Sequence, residues 1–426
     1  MIYIFGFFIF LNTFLPKVGF EVKFLPFHLN VVDILYVLLL VYVVVKFFRL
    51  KDFARLYPLF ILFLWGLFSA LHGYFNQASA DKVVDEFLRQ YIYIFVALLC
   101  LFLVRTSDEL DKVFFFFFVA FGLLSVYGFL QLLFGTKFLL FSKTFLLGLG
   151  YPLKAEFFET SSGYDRKIVT TLLCSNTSGN YLASGAILLL AKGLLDKKQK
   201  FIYIVIFFLS LTILIFTQSR GGLVGFFAGL CLFSVLVFKK KFWIFPAGLV
   251  IFLSIFSLFN YSIRARLKTF FYPMQSYSAW ERVMAIKESL PIIKESPLTG
   301  YGLGMISVKK VPVRDATYEF PDRGKISAAD IVYGGLDCFW AKYTVANGLI
   351  GLFIFLYSVF WLFRKFLIKM KTINITHNWV LVGSSCALVV LLTGAVFDSM
   401  LMVSTHIAML FWFYYGLVLR EIDENR

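Results

Sequence analysis

The sequence predicts an all-α polytopic membrane protein with about 12 transmembrane helices and one large loop outside the membrane. Composition and the shape of the apolar runs carry that prediction. Of the 426 residues, 60% are hydrophobic and 15% charged, whereas soluble globular chains are roughly 45–50% apolar and about 25% charged. A mean hydropathy of +0.83 and 56 phenylalanines leave too little polar surface to clothe a water-soluble core. The apolar runs are long and continuous, which excludes the alternating strands of roughly ten residues that make an outer-membrane barrel. Disordered, collagen-like and disulfide-scaffold classes fall to the same composition.

A spanning helix needs about 20 mostly apolar residues. Segments near 1–15, 31–48, 57–75, 91–105, 113–134, 178–195, 201–217, 222–238, 242–259, 338–363, 378–396 and 400–419 meet that description. The first is short, but it lacks a basic n-region and a small-residue cleavage site, so it reads as a retained span and not as a signal peptide. The chain then divides into 1–259 (about nine spans, with an outer loop near 135–177), a large outer loop at 260–337, and 338–426 (about three spans).

The net charge is +16, and its distribution orients the spans. Basic clusters follow the second span (Lys46, Arg49, Lys51, Arg55), the sixth (Lys197, Lys198, Lys200), the eighth (Lys239, Lys240, Lys241), the tenth (Arg364, Lys365, Lys369, Lys371) and the last (Arg420, Arg426). All are even-numbered exits, so that side is the cytoplasm and both termini lie there. Lys17 and Lys23, on the other side, count mildly against the rule.

Within the large loop, Trp280, Val283, Met284, Ile286, Leu290 and Ile293 recur at near-helical spacing. An amphipathic helix on the membrane surface fits, with a kink expected at Pro291. A breaker-rich turn follows, Pro297-Leu298-Thr299-Gly300-Tyr301-Gly302-Leu303-Gly304. The five cysteines show no metal-ligand spacing; Cys174 and Cys338 fall in predicted outer loops, where a disulfide could join them. His406, inside a predicted span, reads better as a packed, hydrogen-bonded histidine than as a functional one. There is no internal repeat, Walker A loop, Rossmann glycine pattern, HExxH or DxD pair, so no nucleotide cofactor or tight metal site is expected.

Three clusters can carry chemistry. Thr217-Gln218-Ser219-Arg220-Gly221-Gly222 joins the seventh and eighth spans at the outer face. The connection is too short for a loop in water, so Arg220 is held at the membrane boundary, where an unpaired guanidinium is costly. Either it meets a phosphate, which its planar fork suits, or it snorkels to headgroups. Gly221 and Gly222 would allow a sharp reversal and close backbone approach. The second cluster is Trp280-Glu281-Arg282 leading into the Gly300/Gly302 turn. The third opens with Asp337-Cys338 and runs to Asn347-Gly348 and Gly351. A carboxylate where the loop re-enters the membrane would be partly desolvated, hence a better base, although an interfacial anchor or helix N-cap explains it as well.

Together the three clusters resemble the O-antigen ligase/polymerase superfamily. The resemblance rests on Ser219-Arg220-Gly221 at an outer helix junction, on Arg282 ahead of Pro297-Leu298-Thr299-Gly300-Tyr301-Gly302, and on Asp337 leading into Gly348 and Gly351, in that order over about 210–355. It implies a GT-C-like, all-helical, metal-independent glycosyltransferase of the bacterial inner membrane, acting in lipopolysaccharide biosynthesis with its large loop and active site periplasmic. The donor it implies is a glycan on undecaprenyl pyrophosphate, and the acceptor a glycan or lipid A–core sugar. It implies Arg220 and Arg282 as pyrophosphate-binding and catalytic residues, Asp337 as the catalytic base, and Gln218, Ser219, Gly221, Trp280, Gly300 and Gly302 as supporting residues. Membrane lipids are the other partner implied, and nucleic acid is not one. Ligases of the superfamily usually carry His-Asn where this chain has Asp337-Cys338, and polymerases more often carry Asp, so the reading leans to a polymerase. Cys338 matches neither pattern. A lipid-glycan flippase or transporter is the reading from a different class; the lack of repeats and of clear mid-membrane charges counts against it.

Overall fold

The structure, a computed structural model, describes residues 1–14, 19–21, 28–47, 56–134, 168–172, 174–196, 200–259, 264, 268, 272, 277–320, 324–333, 336–372 and 378–423. Most of the expected outer loop near 135–177 lies outside these, as do Lys17, Lys23 and the basic residues Lys197 and Lys198.

Every predicted span contains a helix. In chain order they are α1 (Ile2–Phe14), α2 (Val31–Phe47), α3 (Tyr57–Phe75), α4 (Ala80–Phe87), α5 (Ile94–Leu103), α6 (Ser107–Phe134), α7 (Ser175–Leu195), α8 (Lys200–Thr217), α9 (Arg220–Phe238) and α10 (Ile244–Phe259). The outer module adds α11 (Tyr277–Glu295) and α12 (Ala328–Tyr333), and the chain finishes with α13 (Phe339–Met370), α14 (Trp379–Gly394), α15 (Met400–Val403) and α16 (Thr405–Asp423). Among the described residues six helical segments are long and apolar enough to cross a membrane: α3, the run Ala80–Leu103, α6, α8, α9 and α13. A π-turn at Leu88–Ile92 joins α4 to α5 within that run. α1 and α14 are apolar but shorter.

The protein is not purely helical. Gly19–Glu21 (β1) pairs antiparallel with His28–Asn30 (β2), and Thr317–Phe320 (β3) with Gly324–Ser327 (β4). The second hairpin packs its aromatic residues onto α11. Trp280 is buried against Phe320 and Tyr318, with ring centroids 5.6 and 6.1 Å away. Glu288, also buried, receives Arg314 through Nε at 2.7 Å and Nη2 at 2.5 Å. This fork holds the Glu288 carboxyl below its usual range. The opposite face of α11 leaves Val283, Ile286 and Leu290 exposed, the apolar stripe expected of a helix lying on a bilayer. Pro291 sits within α11, and the helix continues through it to Glu295.

α7, α9 and α14 pack against one another. Lipid offers apolar residues no hydrophobic incentive to associate, so such contacts depend on close backbone approach at small residues. α9 supplies them at Gly221, Gly225 and Gly229, one per turn, and at Gly222. A methyl on Gly222 would stand 2.7 Å from the backbone of Gly179 on α7, and one on Gly229 would stand 3.1 Å from the Cys386 carbonyl on α14.

α13 is two helices in one. Gly348 is non-helical, with φ at +67°. The 297–304 turn enters this break and satisfies the backbone groups it frees. Leu349 N–H donates to Pro297 O at 2.7 Å, and Tyr301 and Gly302 N–H donate to Val345 and Ala346 O, each at 2.9 Å. Gly300 and Gly302 both have positive φ and sit against backbone: a methyl on Gly300 would come within 2.5 Å of Gly348 N. These glycines therefore make a backbone joint, and the turn needs no phosphate to explain it. Buried Tyr91 braces the joint, donating to Asn347 Oδ1 at 2.7 Å and pairing with Tyr343 at 3.0 Å.

Candidate active site

Two residues, Gln218 and Ser219, connect α8 to α9. The sharp reversal falls on Gln218, whose φ is +54°, and not on Gly221 or Gly222, which are helical and serve close packing instead. Ser219 is the N-cap, its Oγ accepting the Gly222 N–H at 3.2 Å. Arg220 is therefore the first residue of α9 and is buried. It stands at the helix end whose dipole and free N–H groups favour an anion.

The turn after α14 closes on this helix end. A methyl on Gly221 would stand 2.9 Å from Asp398 Oδ2 and 3.1 Å from Gly394 O. Asp398 is buried; Asn180 Nδ2 on α7 donates to its Oδ2 at 2.7 Å, and Met400 N–H to its Oδ1 at 3.2 Å. Burial pushes the Asp398 carboxyl up to about 7, against the pull of these hydrogen bonds and of the Arg282 charge.

The same turn anchors the start of α13. Phe339 N–H is shared between Ala395 O at 3.3 Å and Asp398 O at 3.1 Å. This sets Asp337 beside Ser399, whose Oγ donates to its carboxylate at 3.5 Å, and opposite Arg282 of α11, 4.0 Å away. Arg282 and Asp337 are both within electrostatic reach of Asp398. One charged residue from each of the three clusters, far apart in sequence, is thus brought to one end of the α7–α9–α14 group.

Some expectations change on contact with the structure. A second and more deeply buried carboxylate, Asp398, joins Asp337, whose side chain keeps 39% of its surface exposed. Cys174 and Cys338 are both free thiols, so no disulfide joins them. Burial pushes the Cys338 thiol up, which keeps it protonated and unreactive. Trp280 and the Gly300/Gly302 turn hold the outer module together and do not face the charged cluster through any described contact. His406 is buried, its Nδ1 2.6 Å from Asn12 O.

Sequence reasoning missed Asn180 and Asp398. The one-per-turn glycines of α9 were the signal that another helix must approach there. Lys342 was also missed; it stands within electrostatic reach of Asp337, Glu86 and Arg89. Among the described residues no group of three or more His, Cys, Asp or Glu side chains is placed to hold a metal ion.

Residues 205–356 match the family model described as O-antigen ligase. Over this segment the chain is similar to that family, in line with the resemblance its three clusters carry. No curated protein matches the chain. The O-antigen ligase segment contains Arg220, Arg282 and Asp337, while Asn180 and Asp398, which complete the cluster, lie on either side of it.

Proposed function

We propose that this protein is a membrane glycosyltransferase that moves a glycan from undecaprenyl pyrophosphate to a sugar hydroxyl at the periplasmic face of the bacterial inner membrane. The observation that carries the reading is the meeting of Arg220, at a helix N-terminus, with Arg282, Asp337 and Asp398 at one end of the helices. The acceptor oxygen bonds to the anomeric carbon as the bond from that carbon to the pyrophosphate oxygen breaks. The bonding pair leaves with polyprenyl pyrophosphate, and the developing charge is stabilised by the two guanidiniums and the first N–H groups of α9. Asp337, the carboxylate open to solvent, takes the hydroxyl proton. Asp398, closed off beneath it, fixes the 395–399 turn and so the start of α13. No step is routed through a metal ion, and the arginines carry the electrostatic role.

The orientation has its own support. α9 runs from Arg220 to Lys239, Lys240 and Lys241, and α13 from Asp337 to Lys369 and Lys371, so the basic clusters lie at the end opposite the site. Both termini are then cytoplasmic.

Asp337, where ligases carry His, favours polymerisation, in which the growing chain passes to a newly delivered repeat unit. Ligation to lipid A–core is the second reading, favoured by the description of the matched family. The test is to give purified protein a single lipid-pyrophosphate-linked repeat unit without lipid A–core and to run the products on a gel. A ladder is expected; a single adduct appearing only with lipid A–core would make it a ligase, and no product from either would overturn transfer and raise transport. Arg220→Ala and Arg282→Ala should abolish extension in protein that still inserts. Lys at either position should also impair it, since an ammonium cannot form the bidentate fork.

A further inference from the structure

The 297–304 turn reaches well below the ends of the helices. The Pro297 and Leu298 carbonyls accept from Leu349 and Ile350 N–H at 2.7 and 3.2 Å. They do so beside Gly348, nine residues or about 14 Å from the start of α13. α3 gives the same depth. Leu303 N–H donates to Ser69 O at 3.0 Å, and Trp65 Nε1 donates to Asn347 O at 3.2 Å. Ser69 and Trp65 are six and ten residues from the end of α3 at Phe75, about 9 and 15 Å. Against a hydrocarbon core about 30 Å thick, the turn lies within the outer leaflet, and the C-terminal end of α11 is held there with it.

That depth identifies what covers the outer face of α11. Val283, Ile286, Leu290 and Leu298 are exposed, Leu298 by 61%. Leu298 is bonded to Ile350, which is exposed on α13 along with Phe353. The stripe on α11 therefore continues the lipid-facing surface of α13. Lys287 and Lys294, both exposed, lie along the same stripe, seven residues or about two turns apart. Lys287 is steadied by the Tyr318 ring, 5.2 Å away. Glu295, the acidic neighbour of Lys294, is occupied by the Tyr301 hydroxyl at 2.9 Å. Apolar side chains at hydrocarbon depth, edged by ammonium groups that reach up to the headgroups, fit a phospholipid of negative charge.

α11 is pinned inside α13 at its Pro297 end and carries Arg282 near the other end, 4.0 Å from Asp337. Arg282 adjoins Val283 of the stripe, so the seating of the helix in lipid fixes where the guanidinium stands. We propose that anionic phospholipid of the outer leaflet binds this face of α11 and sets Arg282 against Asp337, so that the charge of the leaflet regulates the site. The inference rests on the orientation and on the roles given to Arg282 and Asp337 above.

The full-length protein would be placed in nanodiscs of phosphatidylcholine alone, or of equal parts phosphatidylcholine and phosphatidylglycerol. Benzoylphenylalanine would stand at position 290 or, for reference, at position 353, whose neighbours 349–357 include no lysine. On irradiation, position 290 should capture phosphatidylglycerol in excess of its share of the bilayer, by about fivefold for each lysine. Position 353 should capture the two lipids as supplied. Lys287→Gln with Lys294→Gln should lose the excess, and Lys287→Arg with Lys294→Arg should keep it. In the mixed discs kcat for extension of the lipid-linked repeat unit should rise by about fivefold or more for wild type and the arginine pair, and not at all for the glutamine pair.

Excess capture without product in any disc would overturn glycosyl transfer and keep the lipid site. Product without excess capture at 290, excess capture without an effect on kcat, or a glutamine pair that still responds to phosphatidylglycerol would overturn the regulation by lipid and keep the transferase.

Discussion

Replacing Asp398 with Asn removes a buried charge and keeps the shape of the side chain. In the native site Asp398 Oδ2 accepts from Asn180 Nδ2, and Asn180 Oδ1 has no hydrogen-bond partner among the described residues. An Asn at 398 can turn its amide oxygen toward Asn180, whose Nδ2 is held in place by Asn176 O at 3.1 Å and goes on donating to it. The shorter hydrogen bond therefore survives, and what is lost is the charge and the long Met400 N–H bond at 3.2 Å. Burial has moved the carboxyl from its ordinary 3.8 to about 7, a rise of about three pH units at about 1.4 kcal/mol each. Keeping the group ionised therefore costs about 4 kcal/mol of folding free energy once the pH exceeds the folded value. The direction is that of a raised carboxyl. Below pH 4 the folded and unfolded states are both protonated and the cost vanishes; it grows as pH rises from about 4 to 7 and is constant above. Asp398→Asn should accordingly unfold at a higher temperature than wild type in detergent at pH 8, with the gap shrinking steadily toward pH 5. A variant no more stable than wild type at pH 8, or stabilised equally at both pH values, would refute the buried, ionised carboxylate.

Other expectations concern the joints that hold the site. Gly348→Ala demands φ +67° of a residue with a side chain and drives its methyl into Leu298 O; it should cost on the order of 3 kcal/mol, read as a lower unfolding temperature and loss of product. Gly221→Ala presses a methyl to 2.9 Å from Asp398 Oδ2, an overpacking of about 1–3 kcal/mol, and should reduce extension at least tenfold in protein that still reaches the membrane. Glu288→Gln weakens the fork from Arg314 by about 1.5–3 kcal/mol at neutral pH. Because the Glu288 carboxyl is held low, its contribution is present above the ordinary glutamate range and lost as pH falls through the folded value, so variant and wild type should converge in acid. Asp337→Asn should lower kcat by about 100-fold or more with little change in KM, the signature of a lost general base.

The helices were legible because hydropathy reports what a segment buries, whichever neighbour does the burying. The reversal at Gln218 was not, because Gly221 and Gly222 beside it looked like the turn residues. Gly222 packs on Gly179 and Gly221 on Asp398, 43 and 177 positions away, and a local reading sees no such partner. The break in α13 was hidden for a related reason. Gly348 sits in an apolar run, and what makes a break there tolerable is the 297–304 turn, which arrives from the other end of the outer module. Arg220, Arg282 and Asp337 could be picked out by their chemistry at a membrane boundary. Asn180 carried no such mark, since an amide near a helix start is ordinary until a carboxylate is found against it.

The charged groups at the two ends of the molecule are held differently, and the difference bears on what each end does. At the end away from the site the partners are closed on one another. Lys192 meets Asp196 at 2.7 Å under the Trp379 ring, and Arg420 pairs with Glu421, which also accepts from Asn378 at 2.8 Å. Such pairs, buried and fully engaged, fix helix ends and lose several kcal/mol if one partner is removed. At the site end Arg282 and Asp337 stand 4.0 Å apart and Ser399 reaches Asp337 at 3.5 Å, so each remains able to exchange its neighbour for a substrate oxygen. A cycle that carried a charged headgroup through the protein would need polar partners along the path. Between the two ends the described residues of α7, α9 and α14 include buried serines, Ser184, Ser234, Ser384 and Ser385, and no charged side chain.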